Sequence, residues 1–140
     1  HITLIAPFDM PDNLQAEMQK LLLPFAARQQ GFPVQLKNFA AFKPQVIYVD
    51  VLPGVQLNEL RTALETTLLQ SNRFPIKKED RPFHPHITIA NRDLRKKDFP
   101  LAWQYFQQIS YEASFMANAI ALLRHNGQVW EIAHSFPLSN

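Results

Sequence analysis

Two segments of the chain repeat the same alternation of polar and apolar residues. The letters HITLIA begin at residue 1, and the letters HITIA begin at residue 86. Alternate side chains of a β-strand lie on one face, so a strand at each segment would present its imidazole and its hydroxyl together. Two such strands on the two sides of a groove would bring together a set of two imidazoles and two hydroxyls. Such a set suffices for metal-free acid/base chemistry on a phosphate. The residues of this set are His1, Thr3, His86 and Thr88.

Either motif alone has an ordinary structural explanation. A single histidine in a strand usually packs or faces solvent, and threonine favours strands because its side chain is branched. The same polar pair occurs twice in the same phase, and an apolar stretch follows each copy. If the motifs had only a structural role, this recurrence would be a coincidence, whereas catalysis by two matching motifs requires it. We therefore interpret both motifs as functional.

Composition limits the class of protein. The length of 140 residues suits one domain with a single hydrophobic core. The net charge of +2 is too small to indicate a protein that is dedicated to coating nucleic acid. The chain has no cysteine, which excludes disulfides, thiol nucleophiles and thiolate zinc sites. No apolar run approaches the roughly 18 residues that a membrane-spanning helix needs. We therefore expect a cytoplasmic protein without a membrane role.

The spacing of apolar residues predicts three helices. Asp12 is the expected N-cap of the first helix, and Pro24 is expected to kink or end it. A leucine stripe over residues 57–68 predicts a second helix that ends near Ser71. A weaker pattern over residues 98–109 predicts the third.

Four strands are predicted in addition to the two motif strands. The runs 32–36 and 45–52 are expected to be antiparallel neighbours. Asn126-Gly127 is the favoured pair for a two-residue type I′ turn, which predicts a hairpin between strands 115–125 and 128–136. The residues expected on the apolar face of this hairpin are Ile120, Leu122, Trp130, Ile132 and Phe136.

The order of these elements indicates the α+β class. Strands and helices alternate irregularly with hairpins, which argues against a doubly wound parallel sheet. The repeated motif predicts two pseudo-symmetric lobes, each an antiparallel sheet with helices packed outside, and an active-site groove between them. We expect residues 1–140 to form a single domain.

With these motifs the chain resembles the 2H phosphoesterase superfamily, which is named for two His-x-Thr motifs, and in particular its bacterial 2′-5′ RNA ligase-like branch. The resemblance rests on the four motif residues and on the stretches HITLIAPF, FKPQVIYVDV, FHPHITIANR and GQVWEIAHSFPL. It spans essentially the whole chain. Family members carry a strand and a helix before the first motif, so the domain is expected to lack an N-terminal strand and helix.

The resemblance implies phosphodiester chemistry on a nucleotide or RNA end, either opening of a 2′,3′-cyclic phosphate or cleavage or joining of a 2′-5′ linkage. One of His1 and His86 would take a proton from the attacking water, and the other would protonate the leaving ribose oxygen. Thr3 and Thr88 would donate hydrogen bonds to the non-bridging oxygens. The scheme needs no cofactor and no metal. We also expect the protein to be a monomer.

Two alternatives remain open from the sequence. The chain could be a nucleotide-binding or RNA-binding module of the same fold that does not turn over a substrate. It could instead be a metal-dependent enzyme, because His84 shares the predicted strand face of His86 and the spacing His-x-His suits zinc or iron. No acidic residue stands in an obvious third position for such a metal.

Overall fold

The computed structural model describes all 140 residues. Its helices are α1 (Gln15–Ala27), which a 3-10 turn over Asp12–Leu14 precedes, α2 (Val55–Ser71) and α3 (Phe99–Phe106). Its strands are β1 (Phe32–Phe42), β2 (Val46–Val51), β3 (His86–Ala90), β4 (Glu112–Ala117), β5 (Ala119–His125) and β6 (Trp130–Pro137). The α+β class is confirmed. None of the helices combines the length and the apolar character that crossing a lipid bilayer requires.

The strands form two sheets, and the chain divides into two compact units. One sheet has the order β3-β2-β1-β4, and the other pairs β5 with β6. The sheet unit comprises His1–Ala6, Val34–Val55 and Arg81–Phe115. The hairpin unit comprises Pro7–Pro33, Gln56–Asp80 and Met116–Asn140. All four motif residues therefore belong to the sheet unit.

The core of the sheet unit lies on one face of β2. Ile47, Val49 and Val51 alternate along this strand and are all buried, as expected for β-branched residues on the inner face of a sheet. On β1, Phe39 pairs with Val49 in the register and its ring lies 5.1 Å from that of Phe106 in α3. The other face of β2 is thereby left for polar and aromatic residues.

The leucine stripe of α2 is confirmed as a buried face in the hairpin unit. Leu57, Leu60, Leu64 and Leu68 are each less than a tenth exposed, which follows from their helical spacing. Full burial of a leucine side chain contributes roughly 1.5–3 kcal/mol. This stripe is therefore the main reason that residues 55–71 form a helix.

The prediction for the start of α1 is wrong, and one of the two outcomes expected at Pro24 is excluded. Asp12 is not an N-cap but the first residue of the 3-10 turn, whose N-cap is Pro11, and its carboxylate pairs with Arg124 at 3.0 Å. Pro24 does not end the helix, which continues to Ala27. A proline in a helix removes one backbone hydrogen bond, and the burial of Phe25 directly after it offsets that loss.

The turn of the β5–β6 hairpin also differs from the prediction. Four residues, 126–129, separate His125 from Trp130, and Gly127 has a φ of 100°. The Asn126 side-chain oxygen accepts hydrogen bonds from the backbone N–H groups of Gln128 and Val129. A side chain that bonds its own following backbone stabilises a wider turn than the two-residue type I′ turn.

The predicted strand 115–125 is two strands, and the hairpin's apolar face is smaller than expected. The break falls at Asn118, after which the chain leaves the four-stranded sheet. Ile120 and Phe136 pair and are buried as predicted. Trp130 and Ile132 are 41% and 69% exposed. The register shifts between Leu122 and Leu123, and a shift of one residue exchanges the faces of a strand.

The first motif does not form the predicted strand. Residues 1–6 contain only a bend at positions 4 and 5, and no strand of either sheet includes them. Alternation of polar and apolar residues favours a strand only where a neighbouring strand completes the hydrogen-bond ladder, and terminal segments are ordered only where they are tied down. That ladder is missing at residues 1–6.

Candidate active site

The second motif forms a strand, as predicted, and this strand lies at the edge of its sheet. His86 and Thr88 lie on one face of β3, where their partners on β2 in the antiparallel register are Asp50 and Tyr48. Directly opposed residues of an antiparallel pair project from the same face. Thr88 is exposed and His86 is half-buried. This face of the sheet therefore presents an imidazole, a hydroxyl, a carboxylate and a phenol.

The orientation of the His86 ring is set by a backbone group. Its Nδ1 lies 2.7 Å from the carbonyl oxygen of His84. A carbonyl oxygen can only accept a hydrogen bond, so Nδ1 of His86 carries a proton and donates it. The second nitrogen, Nε2, is then the one available for chemistry: it accepts a proton when the ring is neutral and donates one when the ring is charged.

Two aromatic rings hold the imidazoles at this site. The Phe42 and Tyr48 rings lie with centroids 4.4 Å apart. The His86 ring contacts both, at 5.0 Å from Phe42 and 5.1 Å from Tyr48. The His84 ring does the same at 5.3 and 5.5 Å. Such edge and tilted contacts are favourable ring geometries, so the four rings form a cluster with a defined arrangement.

Three polar side chains of the site, those of Tyr48, His84 and Asp50, lie close together. The Tyr48 hydroxyl oxygen lies 3.3 Å from Nε2 of His84, and Asp50 Oδ1 lies 3.6 Å from the same nitrogen. Burial, and secondarily the charge of Asp50, raises the pKa of the Tyr48 phenol above its ordinary value of 10.0. Tyr48 therefore keeps its proton, so its hydroxyl is able to donate a hydrogen bond.

The structure does not link the first motif to the second by a direct contact. His1 and Thr3 are both exposed and belong to the same compact unit as β3. No hydrogen bond or ring contact joins either of them to His86 or Thr88. Convergence of the two motifs stays a prediction.

Sequence reasoning did not assign Phe42, Tyr48 and Asp50 to the site. A signal for two of them was present, because Tyr48 and Asp50 interrupt an otherwise aliphatic strand at alternate positions, which places both on one face. The pairing of that face with β3 could not be read from the sequence. Although Asp50 supplies a carboxylate near His84, no three histidine or acidic side chains are grouped so as to hold a metal ion.

Comparison with protein families gives one match that covers most of the chain. The model of the 2′-5′ RNA ligase superfamily matches residues 1–129. A Geobacillus sp. (strain WCH70) protein named "Putative phosphoesterase" is 34% identical over 101 residues, which are 71% of this chain and 54% of that protein. The chain thus spans about half the length of this relative. An RNA 2′,3′-cyclic phosphodiesterase of Bacillus subtilis (strain 168) is 28% identical over 89% of this chain and 67% of its own length.

Solved structures share the fold. A Thermus thermophilus protein matches 99% of this chain and 77% of its own with a TM-score of 0.72 and 20% identity. Escherichia coli LigT complexed with 3′-AMP matches 100% of this chain and 77% of its own with a TM-score of 0.69 and 19% identity. At such identities the likeness concerns the arrangement of the elements.

Proposed function

Because the chain belongs to the 2′-5′ RNA ligase superfamily, we propose that it is a phosphoesterase that acts on 2′,3′-cyclic phosphates or 2′-5′ linkages at nucleotide or RNA ends. The observation that carries the proposal is the His86 ring, which donates Nδ1–H to a backbone carbonyl at 2.7 Å and so leaves Nε2 for proton transfer. The name of the Bacillus subtilis relative, an RNA 2′,3′-cyclic phosphodiesterase, supports the choice of substrate.

In the proposed reaction, water opens the cyclic phosphate by two-histidine acid/base catalysis. The water oxygen forms a bond to phosphorus, and the bond from phosphorus to one ribose oxygen breaks. One imidazole of the pair His1 and His86 takes the proton from water, and the other, initially charged, gives its proton to the leaving oxygen. The product is a 2′- or 3′-phosphate beside a free hydroxyl. This scheme routes no step through a metal.

The two threonines would stabilise the transition state. Negative charge grows on the non-bridging oxygens as water adds, and the hydroxyls of Thr3 and Thr88 would donate hydrogen bonds to these oxygens. Thr88 follows His86 on the same face of β3, which supports this role. Removal of one such donor typically costs on the order of 10² in rate.

We also propose that residues 1–140 act as a single domain, as a monomer and in the cytoplasm. The absence of cysteine fits a reducing compartment. Sedimentation equilibrium tests the monomer.

One observation favours a second candidate function, a nucleotide-binding module without turnover. His1 is exposed, and no strand pairing fixes the segment that carries it. A general acid or base must stand within hydrogen-bond reach of the proton that it transfers. If His1 does not reach the phosphate, nucleotides would bind at β3 and no product would form.

Hydrolysis of the four nucleoside 2′,3′-cyclic phosphates in excess chelator tests the proposal. We expect turnover by the wild-type protein that survives chelation and falls by about 10³ in His86→Ala. His125→Ala is the matched control, because it removes an imidazole from the end of β5 in the hairpin unit. Binding without turnover by the wild-type protein would favour the second candidate, and turnover that chelation abolishes would favour a metal enzyme.

A further inference from the structure

A second histidine, His84, lies beside His86 and has no part in the reaction proposed above. The two ring centroids are 6.1 Å apart, and both imidazoles contact the rings of Phe42 and Tyr48. The His84 side chain is 53% exposed. Its ring is therefore held by aromatic neighbours while part of it stays open to a ligand.

The polar neighbours of His84 lie on one side of its ring. Both polar neighbours, the Tyr48 hydroxyl and the Asp50 carboxylate, lie near Nε2, at 3.3 and 3.6 Å. Tyr48 is 4% exposed, and Nε2 is the protein acceptor within hydrogen-bond distance of its hydroxyl. With the phenol as donor to Nε2, the neutral imidazole carries its own proton on Nδ1, and a charged imidazole carries protons on both nitrogens.

The Nδ1–H of His84 is thus a donor that the protein leaves unused. A neutral ring bears the proton on Nδ1, and a charged ring bears protons on both nitrogens. The hydrogen bonds and ion pairs of His84 involve Nε2 and the backbone oxygen, and none involves Nδ1. In a residue that is half exposed, such a donor is available to an acceptor on a ligand.

We propose that His84 is a specificity-determining residue that donates its Nδ1–H to a non-bridging phosphate oxygen of a nucleotide held at His86. The inference rests on the proposed function, because it takes the phosphate to lie at Nε2 of His86. Two rings 6.1 Å apart can each reach an oxygen of one phosphate through hydrogen bonds of about 2.8 Å. The Asp50 carboxylate, 3.6 Å from Nε2 of His84, disfavours an anion on that side of the ring, so the proposal assigns the phosphate contact to Nδ1.

Two amide substitutions separate this role from simple packing. The side-chain nitrogen of asparagine occupies nearly the position of Nδ1 in histidine, and that of glutamine nearly the position of Nε2. His84→Asn therefore keeps the proposed donor, whereas His84→Gln loses it. Both variants lose the ring contacts with Phe42 and Tyr48, so a packing role predicts that they behave alike.

Calorimetric titration with 3′-AMP and with adenosine tests the phosphate contact directly. We expect His84→Ala and His84→Gln to bind 3′-AMP about tenfold more weakly than the wild-type protein, the effect of one hydrogen bond to a charged group. His84→Asn is expected to stay within about threefold, and adenosine binding within about twofold in every variant. Three results would overturn the inference. They are equal losses of affinity for 3′-AMP and for adenosine, equal 3′-AMP affinities of the two amide variants, and no 3′-AMP binding by the wild-type protein.

Turnover of the cyclic phosphates separates this inference from the proposed function. A phosphate contact predicts that His84→Gln raises KM about tenfold with little change in kcat. If His86→Ala abolishes turnover while all His84 variants match the wild-type protein, the proposed function stands and the role of His84 is refuted. If the wild-type protein shows no turnover, the proposed function fails, and the comparison of 3′-AMP with adenosine still decides whether His84 binds phosphate.

Discussion

The two copies of the His-x-Thr motif share their residue order but differ in the structure around them. The second copy lies in β3, paired with β2, and His86 is held by a backbone oxygen and two aromatic rings. The first copy belongs to no sheet, and His1 is exposed. The comparison teaches that a motif supplies reactive groups, whereas strand pairing positions them.

The largest expected effect comes from a double-mutant cycle on the two histidines. We expect His86→Ala to lower kcat for a 2′,3′-cyclic nucleotide by about 10³, the range for loss of a general acid or base. If His1 is the other member of the pair, His1→Ala causes a similar loss and the double variant is little worse than either, because residues that act as a unit are not additive. Full activity of His1→Ala would show that the two motifs do not have equivalent roles. His125→Ala serves as the control.

An intermediate effect is expected from the isoleucines at the centre of each motif. Ile87 pairs with the buried Val49 across the sheet, whereas Ile2 lies in the unpaired segment. Both side chains are half-buried. We expect Ile87→Ala to lower the free energy of unfolding by about 1–2 kcal/mol and Ile2→Ala by about half as much, because a segment outside the sheet relaxes more readily around a lost side chain. Urea denaturation measures both. Equal destabilisation would mean that residues 1–6 are anchored as firmly as β3.

The smallest expected effect is a pH dependence of the folding stability, which arises at the second motif and not at the first. Burial raises the pKa of Tyr48 in the folded protein, so above pH 10 the folded state retains a proton that the unfolded state has lost. Stability therefore falls as pH rises from about 10 through the folded pKa. Tyr48→Phe should remove this loss, which we expect to be about 1 kcal/mol or less by pH 11.

Melting temperatures at pH 9 and pH 11 measure the alkaline effect. Tyr105→Phe is the matched control, because Tyr105 is 65% exposed. An alkaline loss in Tyr48→Phe that equals the loss in the wild-type protein would show that Tyr48 does not cause it.

The fold was predictable where one element's own pattern decides its state. The leucine stripe of α2 and the run of β-forming residues in β2 were sufficient, because burial of an apolar face dominates the stability of both elements. At Asn118 the prediction of one continuous strand failed, and at Pro24 the helix does not end. In both places a tertiary contact outweighs a local preference: the helix continues past the proline to bury Phe25, and the strand divides where the chain changes sheets.

The sequence by itself determined the family and the reactive groups on offer, since these depend on residue type and order. The tertiary structure decided which groups support His86. Tyr48 and His84 are 36 residues apart in the chain, and Asp50 faces His86 only through the register of β2 with β3. Strand register follows from long-range pairing, which a single sequence does not encode in any local pattern.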